Sequence, residues 1–321
     1  MGNFDLATAL EKHNSKHIPG KNPLDDAILS MGDLRRIELP PKKEFINPVI
    51  KESQIILITG WRGVGKTWFA LSLLNAIATQ KRFGQWEVIN PVPCLYLDGE
   101  MAIQDIQARY KQLNPDGEEI APLYFYSDSY ASRLGLPRAS LVDSKWRTEM
   151  KRILLNLKIK VFVIDNIASL APGIDENSKQ GWDPINQWLI DLRFNGITSI
   201  LLHHVNKDGG QRGTSAREDN IDLSMMLKHP SDYSQDHGAD FIVSFSKSRI
   251  AFADLPKLQD TRFTLTEEEG ELVWTWRNVR AEIKEEVLRM IDQGMDYKDI
   301  ASELGISKGR ISQIKAEKAK R

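Results

Sequence analysis

The sequence predicts an α/β fold with a mostly parallel sheet flanked by helices, and a small all-α domain after it. Short apolar runs alternate with helical stretches through the middle of the chain, which is typical of parallel sheets with helices on both faces. A glycine-rich turn joins the first run to a helix, and the end of the chain carries helical patterning only. With 321 residues, 41% of them hydrophobic and 27% charged, the chain can fill a core and cover its surface, which excludes wholesale disorder.

Three regions divide the chain. Residues 1–52 are polar and interrupted by prolines, which predicts an N-terminal arm or linker with one helix-capable stretch at 24–36. Residues 53–278 carry the alternating pattern, and residues 281–321 form the helical block. The middle region is therefore expected to be the main domain.

The elements of the main domain follow from its pattern. Each predicted strand is a short run rich in β-branched, aliphatic or aromatic residues, as in a buried parallel sheet. An alternating stretch at 262–276 predicts a hairpin that closes the domain. The strands are predicted at 54–59, 94–97, 123–126, 160–164, 198–202 and 241–245, and the helices at 67–80, 102–113, 144–157 and 184–195.

Charge and cysteine content limit the function classes. Lys and Arg number 43 against 44 for Asp and Glu, so any contact with nucleic acid must come from local clusters of basic residues. The single cysteine, Cys94, excludes an internal disulfide and suits a reducing compartment. No apolar run approaches the ~20 residues of a membrane-spanning helix, and the first residues lack a secretory pattern. We expect a cytoplasmic protein with no membrane contact.

The glycine-rich turn from Gly60 to Thr67 satisfies the phosphate-binding pattern GxxxxGK[ST]. Its glycines let backbone N–H groups point at one anion, Lys66 would neutralise the β- and γ-phosphates, and Thr67 would offer its hydroxyl to Mg²⁺. An ordinary glycine-rich turn is the alternative. The expected nucleotide-binding residues are Gly60, Arg62, Gly63, Val64, Gly65, Lys66, Thr67 and Trp68, with ATP and Mg²⁺ as cofactors.

Carboxylates follow two of the predicted strands. Asp165 ends the run at 160–164, where a carboxylate can hold the water shell of Mg²⁺. Because Asn166 comes next, a second acid to polarise water is absent there. Glu100, just past the strand at 94–97, is the candidate catalytic base, and Asp98 is the second choice. An acid that merely favours a helix N-terminus is the alternative for Glu100.

Three other polar residues come after predicted strands. His204 follows the run at 198–202, where its side chain can sense the γ-phosphate; a hydrogen-bonded structural histidine is the alternative. Lys247 and Arg249 follow the run at 241–245, and strand alternation places them on one side. Since Lys66 already serves their own site, they could act on a neighbouring subunit's nucleotide. A solvated basic edge strand is the alternative.

Taken together, these residues resemble the RecA-type ATPase core, and more narrowly the hexameric replicative helicases of the DnaB and plasmid RepA kind. Segment 97–101 is similar to the one that carries their catalytic glutamate, 163–166 resembles their metal-binding strand, and 247–249 resembles their basic finger. The resemblance implies that Arg249 is an arginine finger with Lys247 as its companion. It also implies that His204 is a switch between ATP and the DNA loops.

The resemblance covers residues 55 to 265, about two-thirds of the chain, and implies a homo-hexameric ring with ATP at the subunit interfaces. The arm at 1–52 could pack on a neighbouring subunit, as linkers in such rings do. It is too short for the N-terminal domain with which DnaB contacts primase, so the plasmid RepA type is the closer likeness.

Two long polar stretches, 171–181 and 206–220, would match the loops that face the ring channel in that family. Their basic residues could follow the backbone of single-stranded DNA, and no aromatic residue in the second stretch suggests base stacking. Merely solvated loops are the alternative. The expected contacts are Lys179, Lys207, Arg212 and Arg217.

The C-terminal block fits a helix-turn-helix of the resolvase and sigma-factor type. Apolar residues at 300, 304, 306, 311 and 314 would form its core, Gly305 its turn, and Asp296 and Ser307 its helix caps. From residue 307 onward there are six basic residues and one acid. A helical protein-docking module is the alternative. The expected DNA contacts are Ser307, Lys308, Arg310, Gln313 and Lys315.

The sequence therefore predicts an ATP-dependent DNA helicase or translocase, a homo-hexameric ring on single-stranded DNA that serves replication of a plasmid, phage or mobile element. The catalytic residues would be Lys66, Glu100, His204, Lys247 and Arg249, and the metal ligands Thr67 and Asp165. Two alternatives remain: a DNA-bound regulator that uses ATP to change its oligomeric state without unwinding, and a recombinase-like filament. A nucleotide kinase is disfavoured because the chain carries a helix-turn-helix pattern in place of an acceptor lid.

Overall fold

The structure is a computed structural model that describes residues 23–174, 179–205, 220–234, 238–268 and 271–319. The chain divides into two compact units, Met1–Lys43 and Glu44–Arg321. The described part of the first unit contains helices α1 (Pro23–Asp26) and α2 (Met31–Arg36). The single helical stretch expected at 24–36 is therefore two helices, because Ser30 accepts a hydrogen bond from the Asp33 amide and so caps a new helix start.

The second unit begins with a small antiparallel sheet. Strands β1 (Glu44–Asn47) and β2 (Ile50–Lys51) pair with each other, and β1 also pairs with β4 (Glu87–Val88). Phe45 and Ile50 are fully buried in the core of this unit. Residues 44–52, which the sequence analysis grouped with the arm, thus pack with the large unit. Pro48 interrupts the apolar pattern there and hides these short strands.

The main sheet has nine strands in the part of the chain that the structure describes. Their order is β12-β11-β10-β9-β3-β8-β7-β5-β6, and the strands from β9 to β6 are parallel, which confirms the predicted mostly parallel, RecA-like core. The strands are β3 (Ile55–Gly60), β5 (Cys94–Asp98), β6 (Leu123–Ser127), β7 (Val161–Asp165), β8 (Thr198–His204), β9 (Leu223–Lys228), β10 (Asp240–Ser248), β11 (Thr261–Glu268) and β12 (Glu271–Asn278).

Helices cover both faces of this sheet. Along β3, Ile56 and Ile58 belong to one apolar core, and Ile55 and Leu57 to another on the opposite face, as strand alternation requires. The near-continuous burial of β3 is typical of a central parallel strand. The helices are α3 (Lys66–Thr79), α4 (Ile103–Leu113), α5 (Asp128–Arg133), α6 (Ser144–Asn156), α7 (Ile167–Leu170) and α8 (Lys179–Phe194).

Two features of this domain differ from the sequence-based predictions. Strand β9 was not predicted, because its two methionines weaken the strand pattern. The helix predicted to begin at Pro184 is wrong at its start, because α8 begins at Lys179 and contains that proline in its second turn. Residues 179–181, expected in a loop, are therefore helical.

Beyond the hairpin β11–β12, which was predicted, the chain forms a three-helix unit: α9 (Val279–Asp292), α10 (Tyr297–Leu304) and α11 (Lys308–Ala319). Its core comprises Val287, Met290, Ile300, Ile311 and Ile314. None of the helices in the described ranges is long and apolar enough to span a bilayer.

The ends of these helices are partly as expected. Gly305 ends α10 with φ at 62°, and the Ser307 hydroxyl accepts a hydrogen bond from the Arg310 amide at 3.2 Å. Asp296 stands at the N-cap position of α10, but its side chain makes no capping hydrogen bond, so that part of the prediction is wrong.

Candidate functional site: a phosphate-binding pocket at the carboxyl edge of the sheet

The loop between β3 and α3 is shaped by contacts that only glycine permits. Gly65 has φ at 108°, and a Cβ there would lie 2.8 Å from the ring of Phe241. At the end of β3, a Cβ on Gly60 would lie 2.8 Å from the backbone oxygen of Leu227. The loop is therefore held against β9 and β10, with its amide groups at the start of α3, where a helix terminus favours an anion.

Lys66 is turned back into this loop. Its Nζ donates to the backbone oxygens of Gly60 and Trp61 at 2.8 and 2.9 Å, and it lies 2.9 Å from Nδ1 of His204. Burial lowers the pKa of Lys66 to about 8, although the carboxylate of Asp165 acts in the opposite direction. A bound phosphate would offer this ammonium a charged acceptor in place of three neutral ones.

Asp165 ends β7 beside the loop. Its Oδ2 accepts hydrogen bonds from the Thr67 hydroxyl at 2.7 Å and from the Tyr96 hydroxyl at 2.5 Å. Burial raises the pKa of Asp165, and the two hydroxyl donors oppose that rise. Tyr96 reaches this carboxylate because the β5–β7 register pairs Tyr96 with Val163, which places Asp165 diagonally across from it on the same face.

Glu100 lies at the mouth of the pocket, exposed, after β5. Its Oε2 accepts a hydrogen bond from Nδ2 of Asn166, and the same Nδ2 lies 3.2 Å from Nε2 of His204. Burial and the nearby Lys66 lower the pKa of His204, which favours the neutral ring. Lys66, His204, Asn166 and Glu100 therefore form one continuous chain of contacts.

Asp98, the second candidate for the base, has a different environment. It is 1% exposed, and its Oδ1 accepts hydrogen bonds from the backbone amides of Glu100 and Met101 at 3.1 and 2.6 Å. Burial raises the pKa of Asp98 to about 7, and its Oδ2 has no hydrogen-bond partner within the described ranges. Asp98 thus shapes the turn that presents Glu100, and Glu100 is the carboxylate that faces the pocket.

One cavity of about 660 Å³ is lined by Lys66, Glu100, Asp165, Asn166 and His204. Arg62, Gly63, Gly65, Lys66, Thr67 and Trp68 all line it, while Val64 is buried. Arg109 of α4 also lines it and lies with its guanidinium carbon 5.1 Å from the Trp68 ring centre, in a cation–π contact. Arg109 and Tyr96 were not predicted from the sequence, and Asn166 was noted there only because it is not an acid. Only the strand register and the position of α4 bring these residues to the site.

The sequence profile of a family described as AAA domain matches residues 22–210, more than half of the chain. The chain belongs to this AAA-domain family. A P-loop ATPase with a RecA-like fold is indicated by this family membership, by the GxxxxGK[ST] loop and by the sheet topology.

No curated protein matches the sequence. One solved structure that resembles it is a KaiC-like protein from the hyperthermophilic archaeon Pyrococcus horikoshii OT3, with 18% sequence identity and a TM-score of 0.49. The alignment covers 72% of this chain and 94% of that one.

The pocket of this AAA-domain protein fits a magnesium nucleotide. Thr67 and Asp165 offer a hydroxyl and a carboxylate, the hard oxygen ligands that Mg²⁺ prefers. Across the described ranges, no group of three or more His, Cys, Asp and Glu residues is arranged to hold a metal.

Lys247 and Arg249 lie away from this pocket. Arg249 donates its backbone amide to Asp222, whose own amide bonds to Ile55 at the start of β3, whereas the loop follows the other end of that strand. At ~3.3 Å per residue, β3 separates the two by about 20 Å, beyond the reach of an arginine side chain. The Arg249 guanidinium lies 3.7 Å from Asp222 and is about half exposed. The structure does not bring these two residues into the site of their own chain.

The expected DNA contacts fall into two groups. Lys207, Arg212 and Arg217 lie outside the described residues, and Lys179 is the first residue of α8. In the three-helix unit, Ser307, Lys308, Gln313 and Lys315 are exposed, and Arg310 is half-buried. Arg310 and Gln313 are also hydrogen-bonded to each other at 3.4 Å. At about 100° per residue, Arg310 and Gln313 lie on one flank of α11, and Lys308 and Lys315 lie on the other.

Proposed function

We propose that this AAA-domain protein is an ATP-driven DNA motor, a homo-hexameric helicase or translocase that acts on single-stranded DNA during replication of a plasmid, phage or mobile element. The observation that carries the proposal is the placement of Arg249 at the end of the sheet opposite to the phosphate-binding loop. An arginine so placed can serve a nucleotide only in a neighbouring copy.

The pocket supplies the groups that ATP hydrolysis needs. Lys66 and the loop amides would bind the β- and γ-phosphates, and Thr67 and Asp165 would hold Mg²⁺, which neutralises charge on the phosphates when bound. Glu100 is the exposed carboxylate of the pocket and would accept a proton from the attacking water. Phosphoryl transfer depends on such positioning and charge stabilisation more than on covalent steps by the protein.

A neighbouring copy would complete the charge stabilisation. Arg249 is about half exposed, and its guanidinium lies 3.7 Å from Asp222, so the side chain is accessible to a phosphate on a neighbouring copy. An arginine supplied in trans is worth about 10³ to 10⁵ in turnover in phosphate-transfer enzymes that use one. Assembly would therefore switch hydrolysis on, as a ring motor requires.

The C-terminal three-helix unit would contact double-stranded DNA. We propose that it is a helix-turn-helix in which α11 enters the major groove, with Lys308, Arg310, Gln313 and Lys315 as contacts. Arg310 and Gln313 suit base edges, whereas the lysines suit phosphates. This unit would load the motor on DNA or keep it there.

A DNA-stimulated ATPase assay tests the proposal. Wild-type protein should hydrolyse ATP faster with single-stranded DNA, Lys66→Ala should lose nucleotide binding, and Glu100→Gln should bind ATP without hydrolysing it. Mass determination with and without ATP and DNA tests the hexamer. Turnover that ignores single-stranded DNA in a protein that remains monomeric would overturn the proposal.

The three-helix unit also supports a second candidate function, a DNA-bound regulator that changes its oligomeric state with ATP. A strand-displacement assay on a forked duplex distinguishes the two. A motor separates the strands with ATP, whereas a regulator binds DNA and hydrolyses ATP without separating them.

A further inference from the structure

Asp222 lies between two arginine side chains at the amino end of β3. Its Oδ2 accepts hydrogen bonds from the Ile55 amide at 2.8 Å and from Nη2 of Arg193 at 2.9 Å. Its Oδ1 lies 3.7 Å from Nη1 of Arg249. The side chain of Asp222 is 14% exposed, whereas that of Arg249 is 48% exposed. A carboxylate that is held on one side therefore faces the more exposed guanidinium on the other.

The backbone ties the same residues together. The Asp222 amide donates to the Ile55 carbonyl at 2.8 Å, and the Arg249 amide donates to the Asp222 carbonyl at 2.8 Å. Ile55 is the first residue of a buried central strand, so Asp222 is fixed to the sheet through both its backbone and its side chain. Both the backbone and the guanidinium of Arg249 therefore lie beside Asp222.

Arg193, near the end of α8, holds the second oxygen of Asp222. Its Nη2 also donates to the backbone oxygen of Asn220, and its side chain is 17% exposed. Because Oδ2 of Asp222 accepts from both an amide and a guanidinium, the carboxylate can turn only by breaking these bonds. Its other oxygen is thus kept toward Arg249.

An arginine that serves a neighbouring copy benefits from a fixed direction before that copy arrives. A long side chain loses rotamer freedom when it is ordered, and a fixed carboxylate beside the guanidinium lowers the part of that cost that falls on catalysis. The guanidinium has five N–H donors, of which a carboxylate oxygen engages one or two. Donors therefore remain for the oxygens of a phosphate.

We propose that Asp222 is a positioning residue that directs the Arg249 guanidinium toward the nucleotide of a neighbouring copy, and that Arg193 holds Asp222 in place. This inference rests on the proposed function, in which Arg249 acts in trans. Asp222 lies at the end of β3 opposite to the phosphate-binding loop, so it acts on turnover through Arg249 and leaves nucleotide binding by its own chain unchanged.

The variant Asp222→Asn removes the interaction with Arg249 selectively. The asparagine oxygen can still accept from Ile55 and Arg193, which turns its NH₂ group toward Arg249, donor against donor. Turnover of the assembled protein should fall roughly 10- to 100-fold, as expected for a displacement of about 1 Å in a group that stabilises the transition state. The Kd for a fluorescent ATP analogue should stay within about twofold of wild type. Arg193→Gln should show the same pattern with a smaller fall.

The matched control is Asp191→Asn. Asp191 of α8 pairs with Lys151 at 2.6 Å, so this variant makes the same chemical change in an ion pair that includes neither Arg193 nor Arg249. Its turnover should stay within about twofold of wild type.

Mixtures of variants show which side of the shared site Asp222→Asn damages. Lys66→Ala lacks a working pocket but keeps a directed arginine, so its mixture with Asp222→Asn should recover turnover. Arg249→Ala keeps its pocket but lacks the arginine, so its mixture with Asp222→Asn should give no more than the sum of the two. A substitution that merely disturbed the pocket of its own chain would give the reverse pattern.

The pair Lys66→Ala with Arg249→Ala, measured alongside, separates this inference from the proposed function. Wild-type turnover in Asp222→Asn alone, or its recovery with Arg249→Ala in place of Lys66→Ala, would overturn the inference; the proposed function stands if the reference pair recovers turnover. No recovery in the reference pair, in mixtures that do assemble, would overturn the proposed function and the inference together.

Discussion

At the scale of single residues, the site depends on how buried groups orient the ones that act. Tyr96 is fully buried and donates to the carboxylate oxygen of Asp165 that also accepts from Thr67. Such partners fix the direction and the ionisation of a metal-binding carboxylate. Tyr96 of β5 therefore affects the chemistry of the pocket, although it does not line the cavity.

Tyr96→Phe should raise the Mg²⁺ concentration needed for half-maximal binding of a fluorescent ATP analogue by about tenfold, because Asp165 loses one of its two hydroxyl donors. Tyr110→Phe, which changes a tyrosine of α4 that bonds to Asn114, is the matched control and should leave that value unchanged. Equal Mg²⁺ dependence in Tyr96→Phe and wild type would contradict the role given to this hydroxyl.

The raised pKa of Asp98 predicts that the stability of the folded state depends on pH. Its pKa rises from an ordinary value of 3.8 to about 7 in the folded state, so the folded state favours the protonated carboxyl. As pH rises above 3.8 toward 7, the unfolded chain ionises this group freely while the folded chain resists, and stability falls. Between pH 6 and 8 the loss should be about 1 kcal/mol. Urea unfolding of metal-free wild type and Asp98→Asn should show this fall in the wild type and a smaller one in the variant.

At the scale of elements, the sequence predicts the parallel core well and its connections less well. Strands β3, β5, β7 and β8 are apolar enough to be recognised, and the polar residues at their ends identify the carboxyl edge of the sheet. Strand β9 and the true start of α8 were missed, since tertiary packing and not local pattern decides them. Arg109, Asn166 and Tyr96 could not be assigned because their partners are distant in sequence.

Helix α11 carries the prediction about double-stranded DNA. Arg310→Ala with Lys315→Ala should weaken binding to duplex DNA at least tenfold, because a base contact is lost, and should reduce the salt dependence of binding, because Lys315 no longer neutralises a phosphate. Lys145→Ala, an exposed lysine of α6, is the charge control. The ATP turnover of the double variant should stay within twofold of wild type. If its affinity for duplex DNA is unchanged, α11 binds another partner.

At the scale of the whole molecule, the proposed function depends on the distance between the phosphate-binding loop and Arg249 of the same chain. The phosphate-binding loop follows the carboxyl end of β3, and Arg249 lies by its amino end. If two copies stack so that these opposite ends meet, each pocket receives an arginine from its neighbour. Repetition of this contact closes a ring or extends a filament, depending on the rotation between copies.

Mixing two inactive variants tests this arrangement most directly. Lys66→Ala lacks a working pocket but keeps Arg249, and Arg249→Ala lacks the arginine but keeps the pocket. Each alone should hydrolyse ATP at least a hundredfold more slowly than wild type, in line with the loss of an arginine supplied in trans. The mixture should recover a measurable part of wild-type turnover, because mixed assemblies contain an intact pocket beside an intact arginine. Full turnover by Arg249→Ala alone, or no recovery in mixtures that do assemble, would contradict the account.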